Sequence, residues 1–252
     1  MKKYTFDHVY TTGRIIHENE LFQHYHDPEL KIRYDSNFIQ FKRLPSLDEF
    51  INTEAWLRQF HLNLDQHFVK FYFPDDEKPS EEILDYLNKQ GYEQGVLELY
   101  AIEPKDFPEV QQQEKVKIKT VDQSNLETFQ IMHFKQSVLF SKEFAEAETE
   151  MIETQFKQQH IEQVLAYYDD LPVGYVTIII GDDWVEIDDL LVEVTHQRKG
   201  IGGLLQRYVM DNYSDKTVIL VADQDDTARE MYQRQHYQCI GIQYEVQKVY
   251  AN

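Results

Sequence analysis

The sequence predicts an α/β protein of two domains, with sheet strands of mixed direction. Three observations predict it. Short apolar runs rich in β-branched and aromatic residues alternate with helical apolar patterns along the chain. The length of 252 residues exceeds the usual single-domain size of about 100–200. Between residues 103 and 115 the segment EPKDFPEVQQQEK carries two prolines and no apolar periodicity, which marks a linker. The expected domains are therefore 1–110 and 111–252.

The elements follow in order. NFIQFKRLP reads as a strand closed by Pro45. Ser46 with Glu49 forms a capping box, and Leu47, Phe50, Ile51, Ala55 and Leu62 are assigned to the buried face of the helix that follows. HFVKFYFP is a strand stopped by Pro74. PSEEILDYLNKQG is a helix with acidic residues in its first turn and Gly91 at its end, and VLELYAI is a third strand. Beyond the linker, VKIKTV is a strand and Ser124 with Glu127 predicts a second capping box. A helix over about 140–159 would bury Phe140, Phe144, Ala147, Met151 and Ile152. VLAYYD and VGYVTIII flank the turn DDLP as a hairpin, and WVEIDDLLV follows. Residues 201–212 form a helix with Ile201, Leu204, Leu205, Tyr208 and Val209 on one face. TVILVA, a short helix TAREMYQRQ, and the strands YQCIGI and YEVQKVY complete the chain.

Composition narrows the function. There are 45 acidic against 25 basic residues, a formal charge of −20, and neither half has a basic surplus. A nucleic-acid backbone or an anionic membrane surface is therefore an unexpected partner. No apolar run approaches the roughly 18 residues of a membrane span, and the start MKKYTFDHVYTTGR has no signal-like apolar stretch, so a cytoplasmic location is expected. Cys239 is the only cysteine; its strand-like setting reads as a buried structural thiol. His24 and His26 have a spacing that could hold a metal, but no third ligand accompanies them. They read as loop histidines, and no metal is expected.

The most informative stretch is LLVEVTHQRKGIGGLLQ, where an apolar strand turns into a glycine-rich helix start at Gly200, Gly202 and Gly203. The first amides of a helix have no intrahelical acceptor, and residues without Cβ let phosphate oxygens approach them. Arg198 and Lys199 add positive charge. A Walker loop is excluded by the missing GK[ST], and the dinucleotide GxGxxG by its spacing.

Gln197, Arg198, Lys199, Gly200, Ile201 and Gly202 match the pyrophosphate loop Q/R-x-x-G-x-G/A, and the chain from about 115 to 250 resembles the GNAT superfamily of N-acetyltransferases. The match includes the strand ending Leu190-Leu191-Val192, the helix after the loop, TVILVA, and the helix holding Ala228 and Tyr232. The resemblance implies a mixed central sheet with helices on both faces and acetyl transfer from acetyl-CoA to a primary amine in a ternary complex. It implies that Leu191 N–H meets the thioester oxygen, that Leu190 to Val192 hold pantetheine, and that the amides from Arg198 to Gly203 take the pyrophosphate. Tyr232 would protonate the leaving thiolate; the alternative role is a core aromatic. Two departures are visible: Asp225 stands where asparagine is common among the cofactor contacts, and Gln235-His236-Tyr237 where Leu-Gly-Phe is frequent.

A base must free the ammonium of its proton, and Glu186, Asp188 and Asp189 are the nearest candidates, with Glu186 preferred. Glu143, Glu146, Glu148, Glu150 and Glu153 read as a solvated helix face; two of them at a cleft mouth would favour a cationic acceptor. A catalytically silent acyl-CoA sensor is the competing class. Aminoacyl transfer from charged tRNA is disfavoured by the acidic charge of both halves. The order of residues 32–102 resembles a degenerate copy of the same fold without a phosphate loop, expected not to bind CoA. The sequence leaves a homodimer open.

Overall fold

The computed structural model describes residues 4–225 and 229–250. Its elements are β1 (Arg14–Glu18), β2 (Phe22–His26), β3 (Phe38–Phe41), α1 (Leu47–Leu62), β4 (Phe68–Tyr72), α2 (Glu81–Gln90), β5 (Glu93–Ile102), β6 (Val116–Thr120), α3 (Leu126–Ser137), α4 (Lys142–Phe156), β7 (Ile161–Tyr168), β8 (Leu171–Ile180), β9 (Trp184–Val192), α5 (Ile201–Asn212), β10 (Thr217–Asp223), α6 (Arg229–Arg234) and β11 (Gln238–Val249). The fold is mixed α/β and divides into two units. One takes the described residues up to Leu99 together with 222–225, Arg229 and 239–250; the other takes 100–221 and 230–238.

In the first unit β1·β2 and β2·β3 are antiparallel, β3·β4 is parallel across α1, and β4·β11 is antiparallel. The β1–β2 hairpin is not visible in the sequence patterning, because β1 is exposed along its whole length. The Ser46 box forms as expected: Ser46 Oγ accepts from Glu49 N, and Ser46 N donates to Glu49 Oε2 at 2.8 Å. The face that α1 buries differs from the expected one. It comprises Phe50, Thr53, Glu54, Leu57 and His61, while Leu62 is exposed. The polar members are tolerated because Glu54 accepts from the hydroxyls of Tyr86 and Tyr250, and His61 Nδ1 meets the Phe68 carbonyl at 2.7 Å.

His24 and His26 are strand residues, not loop residues. Both are buried on β2, where His24 stands edge-on to Trp56 and Phe60 and within 6.2 Å, ring to ring, of His61. Among the described residues no group of three His, Cys, Asp or Glu is disposed to hold a metal. Burial pushes His24 down to about 3 and His61 to about 4, with His26 and His17 adding like charge around His24. In the unfolded chain both titrate near 6.5, so the unfolded state binds protons that the native state refuses. Stability is full above about pH 6.5 and falls with acidification toward pH 4, by about 2 kcal/mol per histidine at pH 5. Urea unfolding at about pH 7.5 and pH 5 should show a loss about 2 kcal/mol smaller in His24→Phe than in the native chain. Equal losses would contradict a neutral buried His24.

In the second unit β6·β7, β7·β8 and β8·β9 are antiparallel and β9·β10 is parallel across α5. Each unit thus contains the same succession of antiparallel strands, crossover helix and parallel strand. The β7–β8 turn uses Asp169 and Asp170, both at positive φ, as a two-residue hairpin requires. Leu165 and Tyr175 face α3 and α4 with Phe129, Met132 and Ile152. The alternating, equally buried Val164 and Ala166 lie on the other face of the sheet, where α5 packs with Ile201, Leu204, Leu205 and Val209.

Several expectations shift here. Ser124 does not cap α3. Its amide and hydroxyl both donate to Asp122 Oδ1, and Asn125 takes the cap position. On α4 the buried stripe is Ala145, Glu148, Ile152 and Gln155, Phe140 lies outside the helix and is exposed, and Glu148 is therefore no solvated residue. YQCIGI and YEVQKVY form the single strand β11, on which Cys239 is exposed and not buried. Its thiol is pushed up, by desolvation first, which is the reverse of thiolate activation. No described helix is long and apolar enough to cross a membrane.

Candidate functional site

Two strands of the second unit separate where the chemistry is expected. The parallel β9·β10 ladder pairs Thr217 with Trp184, Val218 with Val185 and Ile219 with Glu186, and ends there, although β9 runs on to Val192. On its other edge β9 stays paired with β8 to the end, except for a bulge. Tyr175 opposes Leu191 and Thr177 opposes Asp188, so Asp189 and Leu190 share one partner position. Asp189 sits there at φ 45°.

The direction of each peptide group on this strand follows from one bond. Glu193 N donates to Val173 O, so alternation turns Leu191's N–H and C=O toward β8. Those of Val192, and the C=O of Leu190, face the edge that β10 has left. Gly174 lies opposite Val192, and a Cβ there would come within 2.7 Å of Leu191 O. Glycine allows the two strands their close approach.

Beyond Val192 the chain is folded back on itself: Gln197 Nε2 donates to Val192 O, which ties the loop to the strand end. Arg198 and Gly200 both take positive φ, 59° and 78°, and Gly200 caps α5. The first helical bond is Leu204 N to Gly200 O, so the amides of Ile201, Gly202 and Gly203 precede any intrahelical acceptor. Gln113 Nε2 holds the Lys199 carbonyl at 2.6 Å, and Lys199 Nζ lies 4.9 Å from the centre of the Tyr168 ring. Residues 197–200 are exposed, while Ile201 is buried as the anchor of the turn. The first turn of α5 carries no acidic side chain, whereas α1, α2 and α4 each place Asp or Glu in theirs. In so acidic a protein that leaves the dipole of α5 open to an external anion.

Glu186 is 3% exposed and belongs to the last β9·β10 pair, the point from which the strands part. Tyr232 is half-buried on α6, its ring 5.4 Å from Tyr100 and 5.6 Å from Tyr237. His236, where the family pattern has glycine, adopts φ 69°, so the left-handed turn after α6 is kept without glycine. Asp225 falls in the first unit. It borders a cleft of about 290 Å³ with Lys78, Gln94 and Glu245. Ala228 lies outside the described residues.

One arrangement escaped sequence reasoning. His133 on α3 is buried, and its Nε2 lies 2.7 Å from Asp189 Oδ2 and 4.0 Å from Glu148 Oε2. Burial, followed by the Asp189 charge, raises the Tyr175 pKa. No sequence signal joins these residues, which come from four different elements.

At the corresponding helix start of the first unit an anion is already in place: the Glu49 carboxylate accepts from the cap amide Ser46 N at 2.8 Å and pairs with Arg43 at 2.7 Å, a bond that holds it well below the usual carboxylate range.

Two family models match the chain. Residues 116–250 match the family model of the GNAT acetyltransferase domain, and residues 4–100 match that of a domain of unknown function. No curated protein matches the chain. Among solved structures, a functionally unknown conserved protein from Staphylococcus epidermidis is 32% identical with a TM-score of 0.91, over 99% of both chains. A GCN5-related N-acetyltransferase from Kribbella flavida is 15% identical, with a TM-score of 0.66 over 95% of this chain and 90% of that one. A tandem GNAT protein from the clavulanic acid biosynthesis pathway is 11% identical, with a TM-score of 0.52 over 85% and 76%. The last two share the fold.

Proposed function

Because the chain belongs to the GNAT acetyltransferase family, we propose that it transfers the acetyl group of acetyl-CoA directly to a primary amine of a small molecule or peptide. The observation that carries this reading is the fork of β9 and β10 beside an acid-free, glycine-capped helix start. The released edge of β9 can pair with pantetheine as a missing strand would, and the amides from Arg198 to Gly203 suit a pyrophosphate. We place this machinery in residues 111–252. Residues 1–110 are assigned no CoA site, because Glu49 already supplies the anion at the start of α1.

We assign the thioester-oxygen contact to Leu190 N–H, since Leu191, the residue expected from the resemblance, turns its amide toward β8. Val192 holds pantetheine. As the amine attacks, the new C–N bond forms, the C–S bond breaks, Glu186 takes the amine proton directly or through water, and Tyr232 gives its proton to the thiolate. We take the acceptor to be cationic, because the protein carries a charge of −20 and α4 exposes Glu143, Glu146, Glu150 and Glu153. Release of CoA from acetyl-CoA across a panel of amines tests the reading. Amine-dependent release is expected. Tight CoA binding without turnover would instead make the protein a silent acyl-CoA sensor.

A further inference from the structure

The bulge that frees the edge of β9 is built on a residue other than glycine. Asp189 holds φ 45°, a conformation that aspartate adopts more readily than most side chains but less freely than glycine. The surroundings here are specific. His133 Nε2 meets Asp189 Oδ2 at 2.7 Å, and the His133 ring packs against Tyr175, which lies directly across the ladder from Leu191.

His133 is itself fixed. Its ring packs beside those of Phe129 and Tyr175, with centroids 6.2 and 5.4 Å away and interplanar angles of 30°, and its Nδ1 is 3.2 Å from Ser137 Oγ. One neutral tautomer satisfies both bonds: Nε2–H donates to Asp189, and Nδ1 accepts the Ser137 hydroxyl. The peptide joining Asp189 to Leu190 carries the Leu190 N–H, so whatever fixes the Asp189 backbone aims that amide.

We propose that His133 is a positioning residue that clamps Asp189 in the left-handed bulge and thereby points the Leu190 N–H at the acyl carbonyl of a bound thioester. This rests on the acyl-CoA reading above. The clamp acts on the carbonyl contact alone, since pantetheine and pyrophosphate are held by Val192 and the loop at 198–203.

The test uses calorimetry of the full chain with two probes, acetyl-CoA and CoA, which differ at the carbonyl. A net hydrogen bond corresponds to about 2–10-fold in affinity. His133→Ala should therefore weaken acetyl-CoA by about 3–10-fold and leave CoA within about twofold. Glycine adopts positive φ without a clamp, so in an Asp189→Gly background the same His133→Ala change should alter neither ligand. If His133→Ala does not fold, His133→Gln keeps a donor toward Asp189 and should preserve the preference for acetyl-CoA, while His133→Leu should lose it. Equal weakening of both ligands, unchanged acetyl-CoA affinity, or the same loss in both backgrounds would overturn the clamp. A native chain that binds neither ligand would instead overturn the acyl-CoA reading itself.

Discussion

Replacing Tyr232 by phenylalanine is expected to lower acetyl transfer by about 10²–10⁴-fold, the range for loss of a positioned general acid. When the tetrahedral intermediate collapses, amine and thiolate compete to leave, and protonating the sulfur decides the outcome. The phenyl ring keeps the contacts with Tyr100 and Tyr237, so folding and acetyl-CoA affinity should stay near native. Steady-state kinetics with calorimetry on the same protein separate the two roles. A tyrosine that only fills space leaves turnover intact in the phenylalanine variant and loses stability on truncation to alanine.

The second large effect is expected at Gly200, where Gly200→Glu should weaken acetyl-CoA binding by about 100-fold or more. Three causes act together. The position needs φ 78°, a new Cβ would come 2.9 Å from Gln113 Nε2, and a carboxylate would compete with the pyrophosphate for the amides of α5. Bonds to a charged group contribute about 1.5–3 kcal/mol each, so loss of two already accounts for the size. Gly91→Ala is the control. That glycine also holds positive φ, at the end of α2, with nothing near its would-be Cβ, so the change should cost about 1 kcal/mol of stability and leave binding alone. Calorimetry giving native affinity for Gly200→Glu would remove the loop from the site.

Local chemistry was legible in the sequence and long-range register was not. The cap at Ser46, the end of α2 at Gly91 and the glycine start of α5 are decided within a few residues, and each formed as read. The phosphate loop is of this kind. The fork of β9 and β10 is implied by the resemblance and not by any segment's own pattern, because it depends on where a ladder stops. The direction of the Leu191 amide likewise follows from the pairing with β8. The resemblance that points to Leu191 carries no information on where this strand bulges, and the bulge lies at Asp189 and Leu190. Glu148 shows how polarity misled: its charge suggested solvent, but it lies buried near His133, so the α4 stripe is shifted from the expected one. The grouping of β11 with the first unit is beyond local reading too, because a strand's partners are chosen by the rest of the sheet.

The central claim is that acetyl-CoA occupies the released edge of β9 and the start of α5, once per chain. Amide hydrogen exchange of the native chain with and without acetyl-CoA tests it most directly. Slowed exchange at Leu190 and Val192 and across Arg198 to Gly203, with no change at residues 42–49 around the start of α1, is the predicted result. Protection at the start of α1, or none at the β9 edge and the α5 loop when acetyl-CoA is bound, would contradict it.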